Sequence, residues 1–524
     1  MINKKNKIYT ILRGLKILKN NNNLGLWEEI KFELLKSNPL GNVTLAKFFF
    51  SSSYEDGKIA IHQYCIDRMV RGLWLDRKII IQAYNKDYKI SWPATKAWLT
   101  VFDNKNIRMN TFMSRIYWAG NVMLIYIYNI FNLVVLLYKT NPFQGKSYNS
   151  NDFYYFINIY SSNIPKKNGD KSYTLINWFL KSKVKDHNIH YIYHNVKKAE
   201  TIVVDNTNIS YASLPFERAL NYKCYLKLLS WVIKAVILTI FDLLLLRWHH
   251  AVMLLEAAKL KVVELTEKNN LAKEYFFHWS MGNYRPLWTY GALLRGSRST
   301  LYFYSTVEFP TLEVRKYSQS CHWWLLNWPH YLCWTKRQAQ NIIKNNSFDP
   351  KISVTGPIWF HDSGENLNLD IGSYVAVFSI EFFRKTLYIG LTSLTNYFEE
   401  NLNLPILFLK DIQYCSDRIG IKMLHKRKRP EIKEMKRLVK ALKDLSKENN
   451  YLEIETTQSI IRIINGAKYV ICAPFTSVGF QAQAMGSNVA FYDPLSWISK
   501  NDPASNGIPI LHGRNELLEW MGSK

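Results

Sequence analysis

The last third of the chain alternates between two hydrophobic periods. SYVAVFSIEFF (373–383) is a near-continuous apolar run, the pattern of a strand covered on both faces. A helix over about 397–415 follows, then a strand at 419–429 (IGIKMLHKRKR) and a Lys- and Glu-rich amphipathic helix over about 430–447. LEIET, KYVICAPF and SNVAFYD read as strands, and QSIIRIINGA, TSVGFQAQAMG and NELLEWM as the helices between and after them. Strands separated by helices of this length predict a doubly wound parallel sheet of about 150 residues.

The earlier part repeats the alternation less regularly. LDRKIIIQAYN (75–85) has a β-branched run that predicts a strand, and SWPATKAWL opens a helix. Residues 154–181 begin as a strand, turn through Pro165 and Gly169, and end as a helix near Trp178. HNIHYIYHN and TIVVDN predict further strands. Residues 274–310 read strand, loop, helix, strand, with Pro286 suited to a first helical turn and Gly296 ending it. ISVTG (352–356) is a short strand leading into a Pro- and polar-rich segment. The domain boundary therefore falls after residue 355, giving domains 1–355 and 356–524, the first with helical insertions at about 115–140 and 215–265.

Two of those insertions are long apolar runs, 121–138 (NVMLIYIYNIFNLVVLLY) and 228–246 (LLSWVIKAVILTIFDLLLL). They approach the ~20 residues that span a bilayer. Asn129, Asn132, Lys234 and Asp242 interrupt them, and a charged residue at mid-bilayer costs roughly 2.5–3.5 kcal/mol on the insertion scale. Buried core helices are the reading this favours, with a shallow interfacial helix as the alternative.

Composition narrows the class. The 524 residues hold 68 Lys and Arg against 41 Asp and Glu, a net charge of +27, which calls for an anionic partner unless codon bias alone accounts for it. Six scattered cysteines form no CxxC pair, which argues against a zinc site or a disulfide framework. The basic N-terminus has no apolar core followed by a cleavage site, so no secretory signal is read. Zinc-finger, homeodomain and aromatic RNA-binding signatures are absent from the sequence, so specific nucleic-acid binding is not expected.

Three segments at the carboxyl edge of the second sheet are suited to chemistry. In APFTSVGFQAQAMG, Pro474, Thr476 and Ser477 lie where a buried strand gives way to a helix. Free helix amides and two hydroxyls there make an anion site, and Thr476 also suits a plain N-cap. Lys422, His425 and Lys426 belong to a basic cluster reaching Arg429, either a phosphate neutraliser or a solvated loop. Tyr492 and Asp493 precede Pro494; Asp493 suits a sugar hydroxyl or a turn equally. In the first half, Tyr284 and Arg285 follow a strand on what would be the acceptor side. A transferase also needs a base for the acceptor hydroxyl. Glu308, His278 and Asp205 are the candidates, one at most.

VTGPIWF, VAVFSIEFFRK, IKMLHKRKR, VICAPFTSVGFQAQAMG, FYDP and NDPASNGIPILHGRNELLEWM, in that order over 356–521, resemble the bacterial GT-B polysaccharide-biosynthesis glycosyltransferases of capsule and O-antigen type. The resemblance implies an α/β GT-B fold: two Rossmann-like domains with parallel sheets facing a cleft, the N-terminal one carrying extra helices. It implies a C-terminal domain that binds a nucleotide-sugar, an N-terminal domain that binds the acceptor, and no cofactor or obligatory metal. A hydroxyl pair like Thr476–Ser477 is similar to that of transferases using CMP-linked acidic sugars. The run FSIEFFRK departs from the family in having Ser379 and no proline, which leaves the roles of Glu381 and of Arg384, a donor-binding candidate, open. The expected partners are a nucleotide-sugar, a surface polysaccharide or its lipid-linked precursor, and the anionic inner face of the cytoplasmic membrane. The alternatives are a polyol-phosphate transferase on the same scaffold, and a non-enzymatic basic protein binding nucleic acid or membrane.

Overall fold

A computed structural model describes residues 89–144, 152–169, 174–182, 189–197, 200–216, 220–279, 285–306, 326–345, 349–358, 372–379, 398–427, 436–456, 458–496 and 498–523, with a few positions between 30 and 64. The strand expected at 75–85 lies outside the described residues, as do Tyr284, Glu308, Glu381 and Arg384.

The first sheet has eight strands: β1 (Phe153–Ile157), β2 (Tyr191–His194), β3 (Ile202–Val204), β4 (Thr207–Tyr211), β5 (Glu274–Trp279), β6 (Arg298–Phe303), β7 (His330–Cys333) and β8 (Lys351–Val354). Their order is β3-β4-β2-β1-β5-β6-β7-β8. All neighbours are parallel except the β3–β4 hairpin. The second sheet holds β9 (Tyr374–Phe378), β10 (Lys422–Lys426), β11 (Tyr451–Ile454), β12 (Ala467–Cys472), β13 (Val489–Asp493) and β14 (Ile510–His512). It is wholly parallel in the order β11-β10-β9-β12-β13-β14. Counted within that sheet the order is 3-2-1-4-5-6, the Rossmann arrangement. The chain is an α/β protein with two Rossmann-like domains in series, the GT-B plan.

Strand order reverses between β1 and β5 in the first sheet and between β9 and β12 in the second. Ligands of open α/β sheets bind outside the carboxyl ends of strands at such points. At the carboxyl ends of these strands stand Asn158, His278, Ser379 and the segment from Ala473. One continuous hydrophobic cluster includes Tyr302 and Trp334 of the first sheet's side, Ile358 of the connection, and Phe378 and Phe475 of the second.

The helices α1 (Lys96–Asn104), α2 (Thr111–Thr140), α3 (Leu175–Lys181), α4 (Tyr222–Leu244) and α5 (His249–Leu265) precede β5 or lie between earlier strands. Side chains of Asn110 and Asn221 cap α2 and α4, accepting from the amides of Met113 at 3.2 Å and Cys224 at 2.9 Å. α5 is buried over most of its length, and both α2 and α4 pack on it. The buried positions of α2 run Ser114, Val122, Tyr126, Asn129, Leu133, Leu136, Thr140, a single stripe at helical spacing. The opposite face is apolar and in solvent: Leu124 and Phe131 are each 68% exposed. The same holds for α4, where Phe241 is 59% exposed. The two apolar runs are thus not core helices, because only one stripe of each finds a partner in α5.

Candidate active site

The remaining helices include α6 (Trp288–Leu294), α7 (Lys336–Asn345), α8 (Phe398–Ile419), α9 (Lys436–Leu445), α10 (Ile460–Asn465), α11 (Ser477–Ala484) and α12 (Gly513–Gly522). Four residues, 473–476, separate the end of β12 from the start of α11, at the reversal point of the second sheet. Cys472 pairs with Phe378 in the sheet register, and the amide of Ala473 donates to the Phe378 carbonyl at 3.1 Å. The chain then turns sharply through Phe475, whose φ is 59°. That is the left-handed region, which a phenylalanine adopts only under constraint. Contacts of its ring with Phe491 of β13, at 5.6 Å between centroids, supply that constraint.

Thr476 occupies the N-cap position but makes no side-chain cap bond. Its hydroxyl instead donates to the Ala473 carbonyl at 2.9 Å, closing the Phe475 turn. The helix start is therefore uncapped by its own side chain. Among the described residues no partner takes the amides of Ser477 and Val478. Pro474, Thr476, Ser477 and Val478 are half-buried, so the corner is not plugged. One turn into the helix, Gln481 is buried with an Oε1 that accepts no hydrogen bond among the described residues. Two free amides and the Ser477 hydroxyl thus converge at a helix N-terminus, an arrangement that attracts phosphate.

The basic cluster behaves differently from its sequence expectation. Lys422 is exposed at the amino end of β10, the far edge of the sheet from α11; four residues of strand put it roughly 13 Å from the carboxyl edge. His425 is buried between two hydroxyls, Ser379 Oγ on Nε2 and Tyr451 Oη on Nδ1, each at 2.8 Å. Burial, helped by the Arg427 charge, pushes its pKa down to about 3. It is a neutral spacer that fixes Ser379 at the exit of β9, and not a cation. Lys426 donates to the Thr456 carbonyl at 2.7 Å, and burial lowers its pKa. Arg427 pairs with Glu453 at 3.4 Å. These described members tie β10 to β11 and its exit loop. Asp493 accepts from the amides of Leu495 at 3.2 Å and Ile498 at 2.8 Å; its carboxylate folds the turn after β13.

In the first sheet the structure separates the base candidates. Asp205 and Asn206, with φ of 45° and 64°, form the two-residue turn of the β3–β4 hairpin, the pairing that favours such residues. Because β4 runs parallel to β2, that turn lies at the amino edge of the sheet, away from any ligand crevice. His278 is buried at the carboxyl end of β5, at the reversal point. Its Nδ1 lies 3.2 Å from the Asn158 carbonyl oxygen. A carbonyl only accepts, so Nδ1 carries the proton and the ring lone pair is on Nε2. Burial pushes the pKa down to about 4, opposed by the Asn158 carbonyl, so the imidazole is neutral at physiological pH. Arg285 is buried, donating to Thr289 Oγ1 at 2.9 Å and stacking 4.0 Å from the Tyr290 ring centroid; its guanidinium organises the start of α6.

Residues missed in the sequence are Asn158, Tyr451 and Gln481. Only Gln481 carried a signal, as an amide inside an otherwise apolar helix start.

Residues 231–521, more than half of the chain, match the family described as polysaccharide biosynthesis PFTS motif protein. Pro474, Phe475, Thr476 and Ser477 spell those four letters at the start of α11. No curated protein matches the chain. Among solved structures, the chain is similar to Staphylococcus aureus MnaA bound to UDP (11% identity, TM-score 0.36, 71% of this chain and 87% of that one). It is also similar to a Listeria monocytogenes UDP-N-acetylglucosamine 2-epimerase (10%, 0.39, 71% and 87%). A third is the wall teichoic acid polymerase TagF (11%, 0.36, 77% and 88%). At such scores the likeness bears on neither substrate nor activity.

Proposed function

Since the chain belongs to the polysaccharide biosynthesis PFTS motif family, we propose that it is a glycosyltransferase that moves a sugar from a nucleotide-activated donor to a surface polysaccharide or its lipid-linked precursor. One observation carries the reading: the four residues 474–477 that match the family's motif open α11 at the sheet's reversal point, with two amides and a hydroxyl that have no partner among the described residues. The donor phosphate accepts from the amides of Ser477 and Val478 and from the Ser477 hydroxyl. As the bond from the sugar's anomeric carbon to the phosphate oxygen breaks, the charge left on the nucleotide is held by these donors and the helix dipole. The acceptor hydroxyl forms the new bond and gives its proton to a base. Of the two candidates among the described residues, His278, neutral and with its lone pair on Nε2, is the one at a carboxyl edge and is the base in this reading.

A CMP-linked acidic sugar is the leading donor in this reading, and catalysis needs no metal. The work is cytoplasmic, where nucleotide-sugars are made, on the inner face of the membrane. A label-transfer panel tests it. Transfer from a CMP- or UDP-sugar, undiminished by EDTA, is the expected result. Transfer from CDP-glycerol alone makes the protein a polyol-phosphate transferase, and failure to bind any of CMP, UMP, UDP and GDP refutes the site.

A further inference from the structure

The transferase chemistry leaves the outer surfaces of α2 and α4 unused. Both helices meet the length and hydropathy of a membrane span, yet only 28% of each apolar window is buried. They adjoin where the Tyr126 hydroxyl donates to the Val236 carbonyl at 3.5 Å. Where α4 ends and turns into α5, three consecutive leucines are exposed, Leu244, Leu245 and Leu246, the last 89% exposed and at a φ of 59°. A leucine in the left-handed region is strained by its backbone, and here its apolar side chain is also left in solvent.

We propose that the outer faces of α2 and α4, with the leucine corner, lie flat in the headgroup region of an anionic membrane and hold the protein against it. Spanning is excluded by packing. The buried stripe of α2 extends from Ser114 to Thr140, so a crossing helix would draw α5 and the sheet behind it into hydrocarbon. Lying in the plane demands no such burial. The polar residues within the two runs agree with this orientation. Asn129 turns inward, donating to the carbonyls of Ala251 and Val252 at 2.9 and 3.0 Å, and Asp242 turns inward to His250.

Charge selects the occupant. The exposed charges of the two helices are all positive: Arg115, Lys223, Lys227 and Lys234. Their one acidic residue, Asp242, is buried. Anionic lipid complements such a face, whereas a second copy would bring like charges together. Long basic side chains can reach the headgroups while their neighbours enter the acyl boundary.

Flotation of the full chain on vesicles tests this without any donor, so it stands or falls apart from the transferase reading. The chain is expected to float with vesicles of phosphatidylcholine and phosphatidylglycerol, and less as salt is raised. The double variant L124E/F131E is expected to reduce the bound fraction roughly tenfold or more by removing apolar contact, with melting temperature, solution mass and nucleotide binding unchanged. Failure of the unaltered chain to float overturns the proposal. So does a melting temperature that falls in the variant, or a dimer whose mass halves, since the face is then covered by protein: the chain's own N-terminal segment or a second copy.

Discussion

Separating Thr476 from Ser477 tests the site most sharply, because the two hydroxyls stand side by side in the sequence and do different things. The Thr476 hydroxyl donates to the Ala473 carbonyl at 2.9 Å, and its amide makes a longer bond to the same oxygen at 3.3 Å. T476A therefore removes an internal bond of about 1 kcal/mol that secures the Phe475 turn, and its main effect is a lower melting temperature. Among the described residues the Ser477 hydroxyl makes no such bond. S477A removes a donor to a charged phosphate, about 1.5–3 kcal/mol, which corresponds to a rise in nucleotide Kd of roughly tenfold to a hundredfold or more. Titration calorimetry with CMP, UMP, UDP and GDP, beside thermal melts, reads both quantities. If T476A weakens nucleotide binding as much as S477A while leaving the melt intact, the division of labour is wrong. If neither variant changes Kd, the phosphate is elsewhere.

Three further outcomes follow from the same geometry. A Cβ at Gly479 would overlap the ring of Phe491, which is fully buried; G479A is expected to cost about 1–3 kcal/mol by overpacking and to weaken nucleotide binding as α11 shifts, read by melts and calorimetry. Burial holds His194, His278 and His425 at pKa values of about 4, 4 and 3, against an ordinary 6.5. Below pH 6.5 the unfolded chain takes up protons the folded chain refuses, so stability is intact above that pH and falls toward pH 4, by about 1.4 kcal/mol per pH unit for each histidine. Melting curves across this range check the sign, and a stability that rises on acidification contradicts it. H278Q is expected to lower kcat at least about a hundredfold if His278 is the base, with nucleotide Kd unchanged, whereas D205N leaves kcat within error; equal kcat for H278Q and the unaltered chain removes His278 from the chemistry.

Much of this architecture can be read from the chain, and the exceptions have definite causes. β9, β12 and β13 are buried on both faces, so their apolar runs are continuous and visible. β4, β7 and β14 span three to five residues and mix polar positions into the run, so no continuous apolar run marks them. The motif at 474–477 is legible as a strand-to-helix corner, but the hydroxyl each residue offers is not. Where Thr476 points depends on the φ of Phe475, and that depends on Phe491, distant in sequence. Lys422 looks equivalent to His425 and Lys426 until the strand's start is known, since position along β10 decides which edge a residue reaches. Asp205 stands in the opposite case: Asp-Asn between two β-branched runs is a hairpin signal, readable beforehand, and it assigns the aspartate to a turn.

Asn129 and Asp242 have a meaning beyond their hydrogen bonds. A hydropathy count treats each as a blemish in an otherwise insertable segment. Here each acts as a rotational key: with Asn129 locked to two carbonyls of α5, α2 cannot spin about its long axis without breaking both bonds, so the azimuth of its greasy side is set before any lipid arrives. A lone polar residue in an apolar stretch then reads as a compass, marking the side that faces protein and, by subtraction, the side that does not.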